Sequence, residues 1–68
     1  MKVFAIYTKR GEGESWRLTA VSALSAERAR ALAEQEQRRP GSAIKGADLA
    51  VREYESIQSV PWSLAAAG

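Results

Sequence analysis

Residues 25–39 read SAERARALAEQEQRR, and the rest of the chain is arranged around them. Ala, Arg, Glu, Gln and Leu are good helix formers, and no β-branched residue interrupts the run. Ser25 is a natural N-cap, because its hydroxyl can accept from an otherwise unpaired amide one turn in. Glu27 sits at the positive end of the helix, and Arg38 and Arg39 sit at the negative end. The third position after Ser25 is Arg28, so the reciprocal Ser–Glu capping box is absent. Pro40 disfavours helical geometry at Arg39 and Gly41 follows it, which gives a sharp stop.

The apolar stripe of this helix is Ala26, Ala29, Leu32 and Ala33. It is narrow and made mostly of methyl groups, which permits close approach to a sheet. Leu32 is expected to be its main anchor. If fully buried, Leu32→Ala would cost about 2–5 kcal/mol. The opposite face is polar. Arg30 with Glu34, and Glu34 with Arg38, are spaced to pair four residues apart, each pair worth about 0.2–0.5 kcal/mol.

With 68 residues the chain has room for one domain and a modest core. A chain of this size buries roughly 60% of the surface its unfolded form exposes. There is no Cys and no His, so disulfides and the usual zinc or iron sites are excluded. Self-association is the remaining route to extra stability, and the chain is expected as a monomer or a homodimer. The chain begins Met-Lys and passes directly into a strand-like pattern, with no signal-peptide pattern and no span long enough to cross a membrane. A cytoplasmic location is expected. The formal net charge of +2 is slight for a dedicated duplex-DNA binder.

Three strands are predicted. Residues 2–8, KVFAIYT, carry Phe4 and Ile6 on one face and Val3, Ala5 and Tyr7 on the other. Neither face is polar, which marks a central strand. Residues 9–15, KRGEGES, form a turn in which Gly11 and Gly13 permit positive φ. This Gly-x-Gly pair lies between strands, and Glu12 and Glu14 would repel phosphate, so it is not read as a phosphate cradle. Residues 16–23, WRLTAVSA, alternate: Trp16, Leu18 and Ala20 share one side, and Arg17, Thr19 and Val21 share the other. They pair antiparallel with the first strand. Residues 40–46 are a loop. Residues 48–57 fit two patterns, a strand with Leu49 and Val51 opposite Ala50, Arg52 and Tyr54, and a helix with a stripe of Ala47, Ala50, Val51, Tyr54 and Ile57. A two-stranded hairpin beside one helix is marginal, which favours the strand. The expected fold is a single α+β domain over residues 1–68. It has an antiparallel three-stranded sheet in β-β-α-β order with one helix on one face. Residues 59–68 form a C-terminal tail in which Trp62 folds back onto the domain or onto a partner.

The residue inventory argues against an enzyme. General acid–base work near neutrality uses His or sheltered carboxylates. Here Asp48 is the sole aspartate and each Glu lies in a charged or turn-like context. Ser42 with Lys45 is the one nucleophile–base spacing on paper, and a loop serine beside a solvated lysine accounts for it far better. No cofactor is expected.

Two binding classes remain. The sheet face away from the helix would collect Tyr7, Arg17, Arg52 and Tyr54. Stacking rings beside arginines make a single-stranded nucleic-acid platform, although Tyr and Arg are also ordinary cross-strand neighbours. The same face carries Val3, Ala5, Val21 and Ala50, an apolar patch rimmed by arginine that suits a protein partner. The alternative is that the chain's own tail covers it through Trp62 and Leu64. The candidate partner-binding residues are therefore Tyr7, Arg17, Arg52, Tyr54 and Trp62.

The layout of residues 1–37 is a strand opening with MK, a hairpin, and a second strand running into AVSALSAERARALA at residues 20–33. It resembles small phage and mobile-element proteins, including some type I anti-CRISPR proteins. The resemblance implies a stoichiometric inhibitor that binds the multisubunit CRISPR surveillance complex and keeps it from target DNA. Many such proteins occupy basic DNA-contacting surfaces with acidic side chains. This chain is slightly basic and would have to use Glu12, Glu14, Glu53 and Glu55, or shape and apolar area. The family has no shared functional motif, so no residue is carried over.

Overall fold

The computed structural model describes residues 2–61. The expected positions of Trp62 and Leu64 lie outside them. The elements are β1 (Val3–Lys9), β2 (Arg17–Ser22), α1 (Ala26–Arg38) and β3 (Asp48–Tyr54), followed by a 3₁₀ turn at Ile57–Ser59. The sheet is antiparallel with spatial order β2-β1-β3, and α1 packs on one face. This is the expected α+β domain. No helix among the described residues is long and apolar enough to cross a membrane.

β1 is central because both of its faces are apolar. Phe4 and Ile6 face α1, where Ile6 packs with Ala29 and Ala33, and Leu49 and Val51 pack around them. Val3, Ala5 and Tyr7 face the other way, in a cluster with Leu18 and Val60. Residues 48–54 are a strand and not a helix, pairing with β1 from Val3–Tyr54 to Lys9–Asp48. With β1 beside it, alternation lets this segment bury Leu49 and Val51 on one face and Ala50 and Tyr54 on the other. A single helical stripe could not serve both layers. The strand ends at Tyr54 and the 3₁₀ turn reverses the chain. Val60 then seats in the outer cluster with only 3% of its surface exposed.

The helix ends where local chemistry dictates. Ser25 Oγ accepts from the Arg28 amide at 3.2 Å. Arg39, ahead of Pro40, is extended with φ −67° and ψ 132°. The face of α1 differs from expectation. Ala29 and Ala33 are buried, whereas Leu32 is 45% exposed. Ala29, Ala33 and Gln37 form the i, i+4 row over the sheet, and Leu32 lies about 60–100° around the helix from it. The methyl row lets the helix sit close to β1 and β3, and Leu32 projects beside the contact. Arg30 and Glu34 approach to 3.9 Å as spaced, but among the described residues Glu34 does not pair with Arg38, and Arg39 pairs with Glu36.

A β-bulge in β2 changes which residues share a face. Pairing with β1 runs Phe4–Ser22, Ala5–Val21 and Ile6–Ala20, then jumps to Tyr7–Leu18 and Thr8–Arg17. Thr19 is the extra residue. Unbroken alternation would put Leu18 with Ala20 and Arg17 with Val21. Instead Leu18 and Val21 lie on the outer face, and Ala20 and Arg17 lie on the helix side. The hairpin does not use its glycines as expected either. Gly11 and Gly13 have ordinary φ, and the positive values, +79° and +78°, occur at Gly41 and Gly46 in the loop after α1. A side chain at either position would be strained.

Candidate functional site

The structure brings together three of the five residues singled out from sequence. Tyr7, Arg52 and Tyr54 share the outer face of the sheet through the pairs Tyr7–Ala50, Ala5–Arg52 and Val3–Tyr54. The two phenol oxygens are 2.6 Å apart, and the Arg52 guanidinium lies 5.9 Å from the Tyr54 ring centre. Tyr7 is buried. Burial, then the hydrogen bond to Tyr54, pushes its phenol up to about 12. Arg17 is not on this face, because the bulge turns it to the helix side opposite Thr8. Trp62 lies outside the described residues.

This outer face is packed rather than open. Val3, Ala5, Tyr7 and Leu18 are all buried, with Val60 among them. Val60 thus covers part of this side, and the alternative cover by Trp62 and Leu64 lies outside the described residues. A ring that is buried and hydrogen-bonded, as Tyr7 is, offers no free face on which a base could stack. At the foot of the same face, Lys9 Nζ lies 5.3 Å from the ring centre of Trp16, which remains 40% exposed.

A cleft of about 330 Å³ lies on the helix side, between the hairpin end of the sheet and the loop of residues 40–47. Thr8 and Thr19 form its floor, with their hydroxyls 2.8 Å apart. Thr19 donates to the Arg17 carbonyl at 3.3 Å, which leaves Thr8 to donate to Thr19. Arg10, Arg17 and Glu14 supply the charges, and Ile44 supplies part of the far wall. That wall is fixed from two sides. The Arg10 guanidinium donates to the Ala43 carbonyl. The Gln37 side-chain amide donates to the Ile44 carbonyl at 3.2 Å and to the Ala47 carbonyl. The cleft is open toward β2, because α1 packs against β1 and β3.

Ser42 is buried in this loop and its Oγ accepts from the Ile44 amide at 3.2 Å, a turn-stabilising role that accounts for it without Lys45. Neither Arg10 nor Gln37 stood out in the sequence. Their partners are 33 and 10 residues away, and no local pattern encodes such contacts. Only the spacing of Gln37 on the Ala29–Ala33 row could have hinted at its inward direction.

Beyond this geometry the outer boundary of β2 stands apart. Among the described residues β2 pairs only with β1, and Arg17, Thr19 and Ala20 are exposed. Trp16 precedes it and Leu24 follows it, the latter 43% exposed. Comparison with known protein families, curated proteins and solved structures finds no significant match to this chain.

Proposed function

We propose that this chain is a non-enzymatic binding module for a protein partner and that the edge of β2 is its docking element. The observation that carries it is the contrast between the two sheet edges. β3 holds Asp48, Arg52 and Glu53, and Glu53 is paired with Lys2 at 2.9 Å. Charged edges of this kind discourage strand addition. β2 holds a single charge, Arg17, at its start, followed by Leu-Thr-Ala-Val-Ser, with large apolar side chains exposed at both ends. An edge of this composition invites an extended segment to add a strand through main-chain hydrogen bonds.

In its narrowest form the partner is a type I CRISPR surveillance complex, met in the cytoplasm of a bacterial host cell, and the chain blocks target DNA binding. The resemblance of residues 1–37 supports that form. The alternative, a single-stranded nucleic-acid binder using Tyr7, Arg17, Arg52 and Tyr54, has less support, since Arg17 lies across the sheet from the others and Tyr7 is buried.

A gel-shift titration of labelled target DNA against a purified type I surveillance complex tests this, with the chain added in steps and a lane of chain plus DNA alone. The expected result is loss of the complex's shift with no shift by the chain itself. Ala20→Lys, which places a charge on the β2 edge, should restore the shift. If Ala20→Lys inhibits as well as the parent, β2 is not the docking edge. A shift by the chain alone would favour the nucleic-acid alternative.

A further inference from the structure

We propose that the cleft beside β2 receives a carboxylate: an Asp or Glu side chain on the extended partner segment that adds to this edge. This rests on the partner-binding role given above. The cleft lies at the foot of β2, on the side of the sheet where α1 covers β1 and β3. A strand added along β2 points every second side chain to that side, and near Arg17 such a side chain meets the cleft.

The charge of the cleft suits one carboxylate. Arg10 and Arg17 contribute two guanidinium groups and Glu14 one acid, a net charge of about +1. A nucleic-acid backbone is held instead by a track of cations that neutralises several phosphates. Among the described residues this cleft has two arginines and an acid that would repel the second phosphate. Guanidinium groups match a carboxylate with paired N–H donors. The floor hydroxyls spend their protons within the chain, on Thr19 Oγ1 and on the Arg17 carbonyl, so the arginines are the donors.

The site is also built in advance. Arg10 is anchored on the Ala43 carbonyl, and Gln37 holds the loop at Ile44 and Ala47. Arg10 therefore has less side-chain freedom left to lose on binding. Neither arginine has to be free of contacts within the chain, because a guanidinium carries five N–H donors.

The test is an NMR titration of the isotope-labelled chain with two capped pentapeptides, acetyl-Thr-Val-Asp-Val-Thr-amide and its Asn counterpart. The Asp peptide should shift the amides of Thr8, Arg10, Arg17, Thr19 and Ala43. The Asn peptide should bind about tenfold more weakly, as expected for loss of one charge-assisted contact. Arg17→Gln should erase that tenfold preference while the thermal midpoint stays within about 2 °C of the parent. Arg10→Gln should erase it as well, but it also frees the loop, so Arg17→Gln is the deciding variant. Equal binding of the two peptides, no binding of either, or an unchanged preference in Arg17→Gln would overturn the assignment. So would inorganic phosphate or oligothymidylate displacing the Asp peptide at lower concentration, which would make the cleft a phosphate site. The peptide preference is read without the natural partner. Its failure therefore removes the cleft while leaving partner capture to stand, and failed capture does not touch the peptide result.

Discussion

Leu32, the expected anchor of α1, is half exposed while Val60 is buried, and substituting each to alanine measures that contrast. Val60 is 3% exposed and seated among Val3, Ala5, Tyr7 and Leu18, whereas Leu32 is 45% exposed on α1. Truncating Val60 removes two carbon atoms from a closed cluster, worth about 1.6 kcal/mol in transfer at about 0.8 per methylene. The cavity left behind raises this to about 2 kcal/mol. Leu32→Ala trims a half-solvated side chain and should cost under about 0.5 kcal/mol, with a gain in helix propensity offsetting part of it. For a domain of this size, about 2 kcal/mol lowers the thermal midpoint by roughly 8–16 °C. Circular dichroism melts and urea titrations on parent and both variants read the difference. The reasoning fails if Val60→Ala stays within about 0.5 kcal/mol of the parent. It fails equally if Leu32→Ala proves the costlier of the two.

Gln37→Ala should cost about 1–2 kcal/mol, because it orphans the part-buried Ile44 and Ala47 carbonyls, and hydrogen exchange should quicken across residues 40–47 ahead of the rest of the chain. Ser25→Ala removes the N-cap acceptor of α1 and should lower stability by about 1 kcal/mol in urea titration, with Ser25→Asn recovering most of it. Tyr7 adds a pH dependence. Its phenol is pushed from 10.0 up to about 12 in the folded chain, so the neutral form is favoured by folding; that contribution is complete below pH 10 and is lost as pH rises through 12. The urea midpoint should therefore fall between pH 10 and 12, and Tyr7→Phe should flatten that fall while costing about 1 kcal/mol at pH 7.

What could be read from sequence was local or two-sided. The ends of α1 were legible because Ser25, Arg39 and Pro40 act within a turn of the backbone they control. The central place of β1 was legible because a strand apolar on both faces must be covered on both. The strand at residues 48–54 followed from the need for a third strand, although its own residues fitted a helical stripe as well. What escaped depends on distant geometry. The bulge at Thr19 carries no glycine or proline to announce it, yet it moves Arg17 to the other side of the sheet and separates it from Tyr7, Arg52 and Tyr54. Leu32 looked like an anchor because apolar spacing does not say how closely an alanine face will dock. The cleft depends on Arg10 and Gln37 reaching loop carbonyls, and such contacts leave no periodic trace.

The most direct test of the account is amide hydrogen exchange along β2 in the free chain, followed by NMR at neutral pH. With β2 as an open edge, amides directed at β1 should be protected, and those directed outward from Arg17–Ser22 should exchange as fast as loop amides. Uniform protection of both sets would mean that this edge is already covered within the chain or by a second copy, and it would contradict β2 as the docking element for a partner.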